Sequence, residues 1–325
     1  MVNVAIIGCG LIGQKRARSL DGARLITCCD TIPEKSQALA APYGALALTD
    51  WREAVRLPHV DAVLIATTHD WLAPIAAAAV ALGKHVLVEK PGARRAAELD
   101  GVLEASRRTG AIVRTGFNHR YHPAFRRARE IFESGALGKL MFIRARYGHG
   151  GRLGYENEWR AQPEVSGGGE AIDQGLHLID LARSFLGDFS VVKGHIGTFF
   201  WDMPVEDNAF FLLTNPLGQT ASLHASWTEW KNMFSFEIYG RNGKLDIGGL
   251  GGSYGMERLT WHRMLPEMGP PESTVWEYPT GDESWGVEFH EFSEDIRLGR
   301  QPNPGIADAQ AALRIVETVY REFGK

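Results

Sequence analysis

The apolar residues in the first third of the chain fall in short unbroken runs. Residues 2–7 end in a glycine cluster, residues 25–29 end in Asp30, and runs at 60–66, 86–88 and 111–115 follow. Successive apolar positions mean that both faces are buried, as in the strands of a parallel sheet covered on two sides. Between the runs lie helical segments, among them an apolar one at 71–82. Thr31-Ile-Pro-Glu34 and Asp50-Trp-Arg-Glu53 have the spacing of capping boxes, the first with a proline inside the helix start. Gly83 and Gly110 fall where helix C-caps belong. The alternation predicts an α/β Rossmann domain with a doubly wound parallel sheet over residues 1–120.

The rhythm then changes. After a helix at 122–134, β-patterned stretches occur at 140–147, 191–200, 208–214, 220–228 and 234–239. Turns such as Asn215-Pro-Leu-Gly218 and Arg241-Asn-Gly243 join several of them, which suits antiparallel hairpins. One helix interrupts at 171–186, and two more close the chain at 288–298 and 306–323. Residues 121–325 therefore read as an α+β domain with a large, mostly antiparallel sheet and helices on one side.

Composition narrows the class without choosing a function. The 325 residues suffice for two domains, and 44% apolar with 23% charged residues is ordinary for a globular chain with a full core. A net charge of -4 with mixed signs gives no basic face for nucleic acid, and no apolar stretch has the length of a membrane span. Cys9, Cys28 and Cys29 are not in metal-ligand spacing and read as reduced core thiols. The histidines form no zinc pattern, so no metal is expected. Met1 leads straight into a strand with no signal-peptide pattern, so a cytoplasmic location is expected.

Gly8-Cys-Gly10-Leu-Ile-Gly13 follows a strand and opens a helix. Gly8 permits the tight turn, Gly10 lets the backbone approach a pyrophosphate, and Gly13 lets helix pack on strand. Leu11 and Ile12 complete the loop, whose helix N-terminus offers free N–H groups to phosphate. Asp30 ends the next strand at the expected distance of about 20 residues. A carboxylate there accepts from ribose hydroxyls and repels a 2′-phosphate, favouring NAD over NADP, although Lys15 and Arg16 leave NADP open. At the end of another strand, Glu89-Lys90-Pro91 brings Lys90 to the sheet edge where such folds bind ligands. A lysine beside a cationic nicotinamide would have its pKa depressed and could exchange a proton with a substrate hydroxyl. A solvated lysine at a strand end is the plainer alternative.

These segments, with Asp61-Ala-Val-Leu-Ile-Ala-Thr, Gly83-Lys-His-Val-Leu-Val-Glu-Lys-Pro91 and Gly116-Phe-Asn-His-Arg-Tyr-His-Pro123, resemble the Gfo/Idh/MocA oxidoreductase family (glucose–fructose oxidoreductase, inositol dehydrogenase and relatives). The resemblance runs from Val2 to about residue 186 through several motifs in order. It implies a Rossmann domain followed by an open-faced sheet domain, with homodimers or homotetramers formed through the sheet. It also implies NAD(P)-dependent chemistry on a sugar, a sugar derivative (nucleotide-linked ones included) or a cyclitol.

In Gly167-Gly-Gly-Glu-Ala-Ile-Asp173-Gln-Gly-Leu-His177, Asp173 and His177 stand four apart, on one face of a helix. Histidine exchanges protons near neutral pH, and Asp173 can orient it or touch a substrate hydroxyl. A surface ion pair is the plainer alternative, and the preceding glycines favour a site. The resemblance goes further: this is the family's Asp-x-x-x-His motif, acting with the lysine of Glu-Lys-Pro, so Lys90, Asp173 and His177 are the expected catalytic residues. It also implies cofactor contacts from Thr67, His69, Glu89, Lys90 and Asn118. Arg120 and Tyr121 are expected near substrate, and the loop bearing Arg152, Tyr155 and Arg160 suits hydroxyl or charge recognition. Trp227 and Trp230 read as core or as a sugar-stacking wall, residues 248–255 as a flexible turn, and Asp180 as structural. Two other functions fit the same motifs: an NAD-dependent glycosidase that oxidises transiently, and a dinucleotide-sensing protein without catalysis.

Overall fold

The computed structural model describes residues 1–267 and 269–323. Fourteen strands and eleven α-helices follow one another among these residues, with short 3-10 turns between them. The first are β1 (Asn3–Ile7), α1 (Leu11–Arg18), β2 (Arg24–Cys29), α2 (Pro33–Ala40), β3 (Leu46–Leu48), α3 (Trp51–Arg56), β4 (Ala62–Ile65), α4 (His69–Ala81), β5 (His85–Glu89), α5 (Asp100–Thr109) and β6 (Val113–Gly116). Then come α6 (Pro123–Glu133), β7 (Leu140–Gly148), α7 (Pro163–Ser166), α8 (Glu170–Asp173), α9 (Gly175–Leu186), β8 (Val191–Gly197), β9 (Asn208–Thr214), β10 (Thr220–Ser226) and β11 (Met233–Gly240). The chain closes with β12 (Gly243–Gly248), β13 (Glu257–Arg263), β14 (Glu272–Tyr278), α10 (Ser284–Leu298) and α11 (Ile306–Glu322).

The chain divides into two compact units. The first holds residues 1–117, 164–167 and 285–313. Its six-stranded parallel sheet has the order β3-β2-β1-β4-β5-β6, the doubly wound arrangement with its switch point between β1 and β4. The expected strands are present, with ends differing by a residue or two; the three-residue β3 was too short to show as a pattern. Asp50 caps α3 by accepting from the Arg52 N–H at 2.9 Å. Thr31 does not cap α2: Ile32 is the N-cap residue, and the Asp30 carboxylate accepts its N–H instead. Gly83 and Gly110 take the left-handed conformation expected past a helix end.

The core packs Val4, Ile6, Leu64 and Leu87 with Phe289 and Phe292 of α10. Residues 285–313 therefore return to the Rossmann unit, which a single boundary near residue 120 does not anticipate. Buried charge accompanies the return. Arg114 on β6 donates from Nε to Asp295 of α10 at 3.0 Å, and Arg16 on α1 lies between Glu89 and Glu288.

The second unit holds residues 118–163, 168–284 and the chain from Arg314 onward. Its eight-stranded sheet has the order β14-β13-β12-β11-β7-β10-β9-β8 and is antiparallel except for β7 with β10. Burial alternates along the strands. Ile143, Ala145 and Tyr147, with Phe234, Phe236 and Ile238, are buried beneath α6 and α9, while Phe142, Arg144 and Arg146 are exposed. Strands β12 to β14 had not been expected, because charged and polar residues interrupt their apolar positions, as in Lys244-Leu-Asp-Ile and Glu257-Arg-Leu-Thr. Residues 171–186 form two helices, broken at Gln174.

Candidate active site

In the first unit, β1 passes through the glycine loop into α1. Gly8 has φ +94°, and a Cβ there would lie 2.4 Å from the Ala66 carbonyl oxygen. A Cβ on Gly13 would lie 1.9 Å from the Gly8 carbonyl oxygen, so helix and loop touch only because no side chain intervenes. Gly10 faces open space, with nothing within 4 Å of its Cβ position. The loop therefore presents a bare backbone surface at the N-terminus of α1, which fits a dinucleotide pyrophosphate. Asp30 closes it: one carboxylate oxygen accepts from the Cys9 N–H at 2.8 Å and the other from Ile32 N–H at 3.0 Å. That grip aims the carboxylate before any ligand arrives. Leu11 and Ile12 form the first turn of α1, Leu11 exposed and Ile12 half-buried. The three cysteines are free and buried, as expected.

Glu89 ends β5 with its carboxylate bound to Arg16, whose Nε donates at 2.6 Å. Arg16 Nη1 reaches Glu288 at 2.6 Å, and its guanidinium lies over the Trp285 ring. Burial pushes the Glu288 carboxyl up to about 7, with the Glu89 charge adding to the rise and Arg16 only partly offsetting it. The residue before Lys90 is thus anchored by buried charge. Thr67 bonds the Thr68 carbonyl and, among the expected cofactor contacts, His69 is buried with Nδ1 2.7 Å from the Ser166 carbonyl. Asp70 lies in the first turn of α4, where it accepts from the Thr68 hydroxyl rather than capping the helix.

In the second unit, Asp173 ends α8 and His177 lies in the first turn of α9; both are buried. Asp173 accepts from Arg160 Nε at 3.1 Å. Burial pulls the Arg160 guanidinium down, yet Asp173, by charge and hydrogen bond, together with Tyr155 and Glu158 leaves it raised. The His177 ring stacks on His119 and meets the edge of Tyr147, which in turn meets Tyr254. Gln174 donates to the Tyr254 hydroxyl at 3.1 Å. Burial pushes Tyr147 well up and raises Tyr254, so both hydroxyls stay neutral.

The glycine run at 167–169 has a packing cause. A Cβ on Gly168 would strike the Tyr320 hydroxyl at 2.0 Å, and one on Gly169 the Glu206 carbonyl oxygen at 2.0 Å. The run lets α8 pack closely on the protein itself. Glu206 holds that entry, accepting from Gly169 N–H, Ala171 N–H and the Tyr320 hydroxyl.

Several residues expected near substrate have protein partners of their own. Arg120 makes a two-pronged pair with Asp180, at 2.7 and 2.6 Å, in keeping with the structural reading of Asp180. Tyr155 is buried in a cluster with Trp227 and Met203, because the loop after β7 folds inward. Arg152 is exposed and pairs with Glu158. Asn118 is buried with its amide on the Ser284 hydroxyl at 2.9 Å, and Tyr121 follows it in the same turn. Trp227 belongs to the core at 0% exposure, while Trp230 is 66% exposed with φ +56°. Residues 248–255 carry Tyr254 into the site and so are more than a flexible turn. His119, Tyr147, Gln174 and Tyr254 were not anticipated. His119 and Gln174 had a local signal, their places inside the Gly116–Pro123 and Asp173–His177 motifs.

Comparison with known proteins agrees with this architecture. Residues 2–117 match the oxidoreductase family with the NAD-binding Rossmann fold, and residues 125–246 match the GFO/IDH/MocA C-terminal domain. Levoglucosan dehydrogenase of Pseudarthrobacter phenanthrenivorans is 26% identical, covering 99% of this chain and 97% of that protein. The scyllo-inositol 2-dehydrogenase (NAD(+)) of Bacillus subtilis is 26% identical over 97% of this chain and 92% of its own. Among solved structures, a levoglucosan dehydrogenase in complex with NADH and L-sorbose superposes with a TM-score of 0.89 at 23% identity, covering 99% of this chain and 96% of that one. Among the described residues no helix is long and apolar enough to cross a membrane, and no group of side chains is arranged to hold a metal.

Proposed function

Because this chain belongs to the Gfo/Idh/MocA oxidoreductases, we propose that it oxidises a secondary alcohol of a cyclic polyol, a sugar, sugar derivative or cyclitol, with Lys90, Asp173 and His177 as its catalytic residues. The observation that carries this is the buried Asp173–His177 pair, held by Arg160 and His119 in a chain whose glycine loop is shaped for a dinucleotide. NAD, when bound, supplies the hydride acceptor.

The protein's part is to bind, orient and move a proton. Gly10 leaves room for the pyrophosphate, and Asp30 offers its carboxylate to the adenosine ribose; the same carboxylate would repel a 2′-phosphate, which favours NAD over NADP. Lys90 donates a hydrogen bond to the substrate oxygen and stabilises it as negative charge develops. His177 accepts the hydroxyl proton. Asp173, oriented by Arg160, fixes the substrate through a neighbouring hydroxyl.

The relatives are named as dehydrogenases and reductases, which favours net oxidation or reduction over glycoside cleavage by transient oxidation, and over a sensor without catalysis. The exposed face of the second unit's sheet, with Phe142 stacked on Tyr239 and Leu212 half-exposed, is the surface we assign to a homodimer or homotetramer. We assign the protein to the cytoplasm. The test of the activity is NADH fluorescence with NAD across a panel of cyclic polyols, inositols and UDP-sugars. NADH formation with at least one is expected; NAD binding with no turnover on any would overturn the assignment in favour of a sensor.

A further inference from the structure

The contact between His119 and His177 is the least expected feature of the second unit. Their rings lie 3.7 Å apart with 19° between planes, and the residues are 6% and 5% exposed. Two buried imidazoles face to face are an electrostatic liability, because a proton on one opposes a proton on the other.

The surroundings show how the pair is managed. Asp282 accepts from the Ser284 hydroxyl, so that hydroxyl is free to accept from Asn118 Nδ2 at 2.9 Å. The Asn118 carbonyl oxygen then faces His119 Nδ1 at 3.1 Å, which assigns the proton to Nδ1 in neutral His119. A relay of four side chains thus fixes one imidazole's orientation and tautomer, and its flat face holds the other ring in place.

We propose that His119 is a positioning residue for His177: it fixes the ring by stacking, and the pair carries no more than one proton at a time. The proposal rests on the reading of His177 as the proton acceptor. The other charged and titratable groups nearby do not replace this coupling. His122 meets the edge of His119 but is bonded to Glu257 at 2.9 Å. Asp173 precedes His177 and is paired with Arg160, while Arg120, next to His119, is paired with Asp180. Tyr147 touches both rings and its hydroxyl stays neutral. His119 is therefore the group whose charge opposes a proton on His177 at ring-stacking distance.

The test is a titration of the histidine ring signals by NMR in the wild-type protein, H119F and H119Q, beside the pH profile of kcat/KM. Phenylalanine keeps a flat face without a charge; glutamine keeps a donor for Asn118 and guards against failure of the first variant to fold. In the wild type the His119 and His177 signals should titrate together over two separated steps. In either variant His177 should titrate in one step, with its midpoint raised by about one pH unit, a tenfold change in proton affinity. The acid limb of kcat/KM should move with it. A His177 midpoint unchanged in both variants overturns the proposal. A midpoint that moves while the acid limb stays in place confirms the coupled pair and removes His177 as the proton acceptor, so the two readings fail separately.

Discussion

Glu288→Gln tests the buried charge behind Lys90. Glu288 is fully buried, and its carboxyl is pushed from an ordinary value of 4.5 up to about 7 by burial and by the nearby Glu89 charge. A folded state that holds a proton more tightly than the unfolded chain is most stable when that proton is present. The stability from this group is therefore complete below pH 4.5, falls as pH rises toward 7, and levels off above it. A tenfold difference in proton affinity between the folded and unfolded states is worth about 1.4 kcal/mol, so the loss across the window is about 3 kcal/mol. Glutamine has the same shape, keeps an oxygen beside Arg16 Nη1, and cannot titrate. Arg16 keeps Glu89 as its partner, so the change strands no charge. Relative to the wild type, Glu288→Gln should thus gain about 3 kcal/mol between pH 4.5 and pH 8. Hydrogen exchange read by mass spectrometry on peptides from α1 and α10 follows the first unit alone and avoids a global two-state assumption. Equal pH dependence in the two proteins would refute the reasoning, as would a variant destabilised by the same amount at every pH.

Three other substitutions probe the remaining supports. Gly13→Ala drives a Cβ into the Gly8 carbonyl and should cost about 3 kcal/mol, with loss of NAD binding seen by fluorescence titration. Asp30→Ala removes the acceptor of the Cys9 and Ile32 N–H groups together with the expected ribose contact, and should weaken NAD by at least about tenfold in Kd. Glu206→Ala leaves Gly169 N–H, Ala171 N–H and the Tyr320 hydroxyl without their acceptor; a loss of about 3 kcal/mol in a urea midpoint series is expected, and Glu206→Gln should restore most of it.

What was legible in the sequence was local. The glycine loop reads correctly because the strand before it and the helix after it are its neighbours in the chain, and Gly13 meets Gly8 five residues back. Asp173 and His177 were legible as a spaced pair, although they stand on two helices, α8 and α9, rather than on one. What was not legible came from distant pairings. Glu288 meets Arg16 only because α10 returns to the first unit, and Tyr254 reaches Gln174 from a stretch that looks like a plain turn. Arg120 is paired with Asp180, 60 residues on, which its place in the motif does not show. Tyr155 looks available on a polar loop, yet the loop folds onto Trp227. In each case the partner lies far along the chain, where spacing carries no information.

The most direct test of the account is a single-turnover measurement of NADH formation in Lys90→Met and His177→Phe, beside NAD binding by fluorescence. Wild-type NAD affinity with NADH formation lowered by at least about a hundredfold in both variants is the predicted result, the scale of one lost acid–base group. NADH formation at the wild-type rate in both would contradict it.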